Sequence, residues 1–113
     1  MKTLILYKSK YGSTARYAAM LGQELGCEPA DIDAAGAKPA EGCGAVIFAG
    51  GIYAGGVAGW SKFAKLLPAL EGRRTALLCV GASPYDGKAL AALRERCKGL
   101  PENVPLFYAR GAW

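Results

Sequence analysis

Apolar positions along the chain follow two rhythms that alternate from one end to the other. Leu4, Ile5, Leu6 and Tyr7 form a continuous apolar run and predict a first strand over residues 3–7. Over residues 14–25 the spacing becomes helical, with Tyr17, Ala18, Leu21 and Leu25 on one stripe. Residues 29–33 predict a weak second strand, placed at a sheet edge by Pro29 and its two aspartates. Gly36, Pro39 and Gly42 then leave room for one helical turn at most. Ala45, Val46, Ile47, Phe48 and Ala49 run unbroken into Gly50-Gly51, the mark of a central strand buried on both faces. Helical spacing returns with Val57, Trp60, Phe63, Ala64 and Leu67, as far as Pro68. Residues 75–80 predict a fourth strand stopped by Gly81. Leu90, Leu93 and Cys97 mark a last helix ending near Lys98 and Gly99, and residues 104–108 a fifth strand.

Five strands joined by helical crossovers predict an α/β fold, a doubly wound five-stranded parallel sheet with right-handed connections. In such sheets ligands bind outside the carboxyl ends of the strands, where strand order reverses. The loops after strands one, three and four, residues 9–14, 50–56 and 81–87, are therefore expected to meet at one edge.

Composition narrows the class. A chain of 113 residues that is 52% hydrophobic and 20% charged is a packed globular chain, expected to be one domain over residues 1–113. No apolar run approaches the length of a membrane span and no leader is visible, so a cytoplasmic protein without a transmembrane segment is expected. The four cysteines form no CxxC pair, and the chain has no histidine. Buried, reduced thiols are expected of them, with no metal site. The net charge of +5 is spread over dispersed lysines and arginines without an aromatic-basic motif, so nucleic acid is not expected as a partner.

The chemistry-bearing stretch is Ser9-Lys10-Tyr11-Gly12-Ser13-Thr14, between the first strand and the first helix. A loop of this kind offers backbone N–H groups and hydroxyls to an oxyanion at the positive end of a helix dipole. The same residues also suit an ordinary N-cap and turn. A nucleotide triphosphate loop is excluded. Gly81-Ala82-Ser83-Pro84-Tyr85-Asp86-Gly87-Lys88 has one residue too many between its glycines, and Ala89 stands where a magnesium-binding hydroxyl is needed. Gly42-Cys43-Gly44 precedes a strand, so it is no dinucleotide fingerprint. Tyr7, Lys8 and Ser9 replace the acids that a phosphoacceptor receiver needs at the end of its first strand. Trp60 and Tyr17 lie on helical stripes and read as core. Tyr53 and Tyr85 lie in glycine-bearing loops and suit either ligand stacking or a plain loop role, and Asp86 either a turn or a helix cap.

These features resemble the flavodoxin family, in particular its short branch of the menaquinone-dependent protoporphyrinogen oxidase type. The resemblance rests on three stretches: residues 7–14, which look like the phosphate loop [ST]-x-[TY]-G-x-T; residues 45–55 with the following helix bearing Lys62-Phe63; and residues 75–81. It implies strand order 2-1-3-4-5 and FMN as cofactor. Ser9, Lys10, Tyr11, Gly12, Ser13 and Thr14 would hold the phosphate. Ile52, Tyr53, Ala54 and Gly55, with Gly51, would lie on one side of the ring, and Ala82, Ser83, Pro84 and Tyr85, with Gly81, on the other. Backbone groups of Gly50, Gly51 and Gly55 are expected to reach the ring. No side chain is expected to act as a catalyst, since the flavin carries the electron chemistry.

Three functions follow from the resemblance: an electron-transfer protein with a redox partner protein, an oxidoreductase of the protoporphyrinogen or quinone type, or a flavin-free interaction module. Lys8, Lys10 and Arg16 around the phosphate loop imply a flavin that is easier to reduce than in an acidic flavodoxin. The family continues past its fifth strand into a last helix, which is missing here. A C-terminal truncation is therefore expected, with an uncovered apolar sheet face that invites a homodimer.

Overall fold

The computed structural model describes residues 2–9, 12–35, 42–53 and 55–111. Lys10, Tyr11 and Ala54, three of the expected ligand-loop residues, lie outside them. Strand β1 (Thr3–Lys8) leads into helix α1 (Ser13–Leu25), followed by β2 (Ala30–Asp31) and α2 (Ile32–Ala35). Strand β3 (Ala45–Tyr53) turns back through β4 (Gly56–Val57) into α3 (Trp60–Leu66) and a 3₁₀ turn (Leu67–Leu70). Strand β5 (Arg74–Gly81), helix α4 (Gly87–Arg96) and strand β6 (Leu106–Arg110) complete the described chain. The parallel strands stand in the order β2-β1-β3-β5-β6, which is the expected 2-1-3-4-5 once the antiparallel β4 is set aside.

Alternation along the strands divides the core between two faces. Leu4, Leu6, Val46, Phe48, Leu77 and Cys79 pack on one face with Ile32, Phe63, Leu93 and Cys97 from α2, α3 and the end of α4. Phe48 and Phe63 stack at 4.6 Å with an 8° interplanar angle and are fully buried, contributing about 1.5–3 kcal/mol each. Trp60 packs beside this cluster as expected, and its indole N–H donates to the Lys98 carbonyl at 3.2 Å. Ile5, Ala49 and Val80 face the other way, toward α1. Of the expected stripe Tyr17, Ala18, Leu21 and Leu25, only Ala18 is fully buried, and the buried residues of α1 are Ser13, Thr14, Ala18 and Gly22. Gly22 makes room for the chain to fold back after the helix: a Cβ there would overlap the Cys27 carbonyl and press on Pro29. Leu25 is left 48% exposed, while Tyr17, half-buried, donates its hydroxyl to the Arg110 carbonyl at 2.6 Å.

Among the described residues α1 alone packs on this second face, and no helix follows β6. Phe107 and Met20 are 56% and 60% exposed, and Leu78, Ile47 and Ala76 are half-buried, so the expected apolar exposure is present. No helix of the described residues is long and apolar enough to cross a membrane.

Several boundaries moved for local reasons. The second strand spans two residues because the Asp31 carboxylate accepts the Asp33 N–H at 2.8 Å and turns the chain into α2. The third strand does not stop at Gly50-Gly51. It runs on to Tyr53, since Gly50 and Gly51 pair with Cys79 and Val80 of β5. Val57, expected on the stripe of the third helix, belongs to β4 and pairs with Ile52. The last strand lies two residues late because Val104 N–H bonds back to the Pro101 carbonyl at 3.1 Å in a turn.

Candidate functional site

The carboxyl ends of β1, β3 and β5 are neighbours in one parallel ladder, so the three loops that follow them share an edge, as expected. At the first, Gly12 adopts φ 93°, in the left-handed region that glycine reaches at no steric cost, and turns the chain into α1. A Cβ built on Gly12 meets no described atom beyond its chain neighbours within 4 Å. The Ser9 hydroxyl accepts the Gly12 N–H at 2.9 Å and can still donate its own proton. Helix α1 itself begins without a side-chain cap and without an acid in its first turn. Its leading N–H groups and the positive end of its dipole therefore meet the loop unopposed by a carboxylate. Ser13 and Thr14 are buried beneath it, at 5% and 1% exposure.

Thr14 joins this loop to the second. Its Oγ1 would lie 3.0 Å from a Cβ on Gly51, so the first turn of α1 rests directly against the end of β3. Gly51 and Ile52 were expected in a loop and lie instead in the ladder, where the Gly51 carbonyl accepts Ala58 N–H at 2.8 Å. The loop proper is the tight β3–β4 hairpin, with Gly55 at φ 80° and Tyr53 49% exposed at its entrance. Arg96, from the end of α4, reaches this hairpin, since a Cβ on Gly55 would fall 2.5 Å from Arg96 Nη1.

Between the hairpin and the third loop opens a cavity of about 1040 Å³. Ile52, Gly55, Gly81, Ala82, Ser83 and Tyr85, all expected site residues, line it, together with Tyr108 and Arg96. Ser9, Gly12, Ser13 and Thr14 stand apart from it at the start of α1. Tyr85 is 70% exposed and meets Tyr108 at a ring distance of 6.3 Å, tilted by 59°. Asp86 is a helix cap: its carboxylate accepts Lys88 N–H at 2.9 Å and Ala89 N–H at 3.4 Å. A smaller cavity of about 520 Å³, lined by Ala45, Arg74 and Asn103, lies at the amino end of the strands, away from all three loops.

Charge beside the first loop is more balanced than the sequence suggests. Lys8 at the end of β1 and Lys62 of α3 both bind the Asp33 carboxylate. Hydrogen bonds from Lys62 and Lys8 hold the Asp33 carboxyl below the usual carboxylate range, and the bond to Asp33 pushes the Lys8 ammonium up. Asp33 stands 25 residues from Lys8 and 29 from Lys62, a separation at which sequence offers no signal. Tyr108, read only as part of the last strand, and Arg96 were missed as well; for Tyr108 the available clue was its place two residues after Leu106, on the face that packs on the α4-side cluster.

Comparison with known proteins agrees with this geometry. The family model of the flavodoxin domain matches residues 4–110. A flavodoxin from the domain Archaea superposes with a TM-score of 0.67 at 16% identity, over 97% of this chain and 85% of that one. The flavodoxin, WrbA-like protein from Agrobacterium tumefaciens gives 0.68 at 22% identity, over 96% and 83%. A flavoprotein in complex with FMN from Lactobacillus acidophilus NCFM gives 0.60 at 18% identity, over 97% and 93%. A search of curated proteins gives no match. At these identities the structural likeness speaks to the fold.

Proposed function

We propose that this chain, which belongs to the flavodoxin domain family, binds FMN and passes electrons through it to a redox partner. The observation that carries the reading is the start of α1: a helix terminus with no side-chain cap and no acid in its first turn, entered through the left-handed Gly12 and set against the carboxyl end of β3 through Thr14. A phosphate monoester fits such a terminus, because it is dianionic and accepts several N–H bonds at once. Ser9, Gly12, Ser13 and Thr14 would hold it, with Lys10 and Tyr11 between them in sequence. The cavity bounded by Ile52, Gly55, Ala82, Ser83 and Tyr85 would take the ring, Tyr85 offering a broad apolar surface.

FMN, when bound, supplies one- and two-electron chemistry. The chain's own residues bind and orient it, exclude water from one side through Ile52 and Tyr85, and set the local potential. Asp33 neutralises one of the two charges of Lys8 and Lys62, and Asp86, whose carboxylate caps α4, is offset by Arg96 in the lining of the same cavity, so these groups keep one net positive charge. A flavin here is therefore easier to reduce than in an acidic flavodoxin, and a redox titration that finds a very low second potential would refute this.

An oxidoreductase that passes electrons to a quinone is the second reading, favoured by the apolar wall that α4 adds to the cavity through Ala89, Leu90 and Leu93. Purified protein decides between a flavoprotein and a flavin-free module. Flavin absorption, or tight reconstitution with added FMN, is expected; a colourless protein that takes up neither FMN nor riboflavin overturns the proposal. Reoxidation of the photoreduced, FMN-loaded protein by a soluble quinone analogue, one two-electron flavin per quinone, selects the second reading over the first.

A further inference from the structure

The β5–α4 loop hangs from β6 by three consecutive carbonyls. Gly111 N–H donates to the Gly81 carbonyl at 2.8 Å, Arg110 Nε to the Ala82 carbonyl at 3.1 Å, and the Tyr108 hydroxyl to the Ser83 carbonyl. Tyr108 and Arg110 are two apart in a strand, so both project from the same face of β6. In a trans peptide the C=O of one residue and the N–H of the next point in opposite directions. With the carbonyls of Gly81 and Ala82 drawn toward β6 and its side chains, the N–H groups of Ala82 and Ser83 point away from them. Beyond β5, on the side away from β6, lies β3.

Two further contacts tie this arrangement to the rest of the site. The Tyr108 ring crosses Gly81 so closely that a Cβ there would stand 2.9 Å from Cε1 and from the hydroxyl, and 3.1 Å from Ile52 Cδ1. Only glycine leaves the ring this passage. The carbonyl of Arg110 accepts the Tyr17 hydroxyl at 2.6 Å, and Tyr17 lies one helical turn after Ser13 and Thr14. One residue at the end of β6 thus bonds to the helix behind the first loop and to the backbone of the third.

We infer that Arg110 and Tyr108 are positioning residues for the flavin ring. Arg110 Nε holds the Ala82 carbonyl and so turns the Ser83 N–H toward the cavity, beside the Ala82 N–H set by Gly111. Tyr108 holds the Ser83 carbonyl and with it the end of the loop, where Pro84 has no N–H of its own. Tyr17, through Arg110, sets the spacing between that loop and the phosphate loop. The inference rests on the FMN reading above. It differs from it in assigning a role to residues outside the three ligand loops.

The test uses the full chain with Tyr108→Phe, Arg110→Met and the conservative Arg110→Lys, titrated separately with FMN and with riboflavin, which lacks the phosphate. The ring is common to both ligands, so the first two variants should weaken both by the same factor, about fivefold to tenfold for a lost hydrogen bond. Arg110→Lys, which keeps a donor, should stay within about threefold of wild type. In the ligand-free protein, ¹⁵N order parameters of the Ala82, Ser83 and Tyr85 amides should fall in Tyr108→Phe and Arg110→Met from the rigid range of about 0.85 toward 0.6. Unchanged order parameters, unchanged riboflavin affinity, or a loss confined to FMN would each overturn the positioning role. A wild-type chain that binds neither ligand overturns the FMN reading and this inference with it. Normal wild-type binding with indifferent variants overturns the inference alone.

Discussion

Gly50 and Gly51 are adjacent in sequence and alike as letters, yet the structure sets them different tasks, and alanine at each should separate them. A Cβ on Gly50 would overlap Val57 Cγ1, come within 2.9 Å of the Ala58 carbonyl and 3.2 Å of Phe48 Cε2. None of these neighbours yields easily. Val57 is β-branched and paired with Ile52, Ala58 is held by its N–H on Gly51, and Phe48 is stacked on Phe63. Ordinary carbon contacts lie at about 3.5–4.0 Å, so the β3–β4 hairpin must shift as a unit, at a cost near the upper end of the ~1–3 kcal/mol typical of overpacking. The reduced entropy of the unfolded chain offsets about 0.4–1 kcal/mol, leaving a net loss of about 2 kcal/mol. On Gly51 the Cβ meets only Thr14 Oγ1, at 3.0 Å, a single contact that a shift of a few tenths of an ångström in the first turn of α1 relieves. The offset then nearly cancels the cost, and the net change should stay within about 0.5 kcal/mol.

Urea unfolding followed by circular dichroism reads the difference. Gly50→Ala should lower the midpoint by about 1 M, taking a slope near 2 kcal/mol/M, and Gly51→Ala should barely move it. FMN titration should show the reverse order. Gly51→Ala disturbs Thr14 and should weaken FMN about tenfold, as the loss of roughly 1.4 kcal/mol of phosphate contact would do, while folded Gly50→Ala binds within about threefold of wild type. Equal midpoints for the two variants would refute the packing of the hairpin on Gly50. Unchanged FMN affinity in Gly51→Ala would refute the role of Thr14.

Burial pushes the Cys79 thiol up to about 12 and raises that of Cys97, and Cys43 is also buried. A thiol reagent at pH 8 should therefore label half-buried Cys27 at once and the other three only after denaturation, as stopped-flow absorbance would show. The Asp33 carboxyl is lower in the folded than the unfolded chain, so its contribution is present above the ordinary carboxylate range and is lost as pH falls through the folded value. Lys8 is raised, so its contribution holds below the ordinary lysine range and is lost as pH climbs through the folded value. The stability gap between wild type and Asp33→Asn should accordingly be flat near neutrality, shrink at both extremes and narrow with added salt, measured by melting across pH. Phe107, 56% exposed, should tolerate serine with a change within about 0.5 kcal/mol in urea unfolding, whereas a cost above 2 kcal/mol would mean that something covers that face.

The order of the five parallel strands and the helices between them, and the glycine-bearing loop at the start of α1, were legible in the sequence by itself, because each rests on short-range information. A strand buried on both faces must be apolar throughout, as in residues 45–49. A helix packed on one side must repeat every three to four residues, and a helix start must expose its N–H groups. What only the tertiary structure decided depends on partners distant in the chain. Gly50 and Gly51 stay in the ladder because β5 pairs with them, and Val57, three residues before Trp60 and so indistinguishable from a helical position, joins a hairpin because Ile52 lies opposite. Small residues, not large ones, make the buried stripe of α1, because Thr14 stands against Gly51 of β3 and Gly22 against the returning chain at Cys27. Lys8, Asp33 and Lys62 become one cluster, and Tyr108 and Arg110 become the support of a loop, only when β1 meets α2 and β6 meets β5. Local pattern fixes which segments can form strands and helices; the function of a side chain at this sheet edge is decided by which strand end it is carried to.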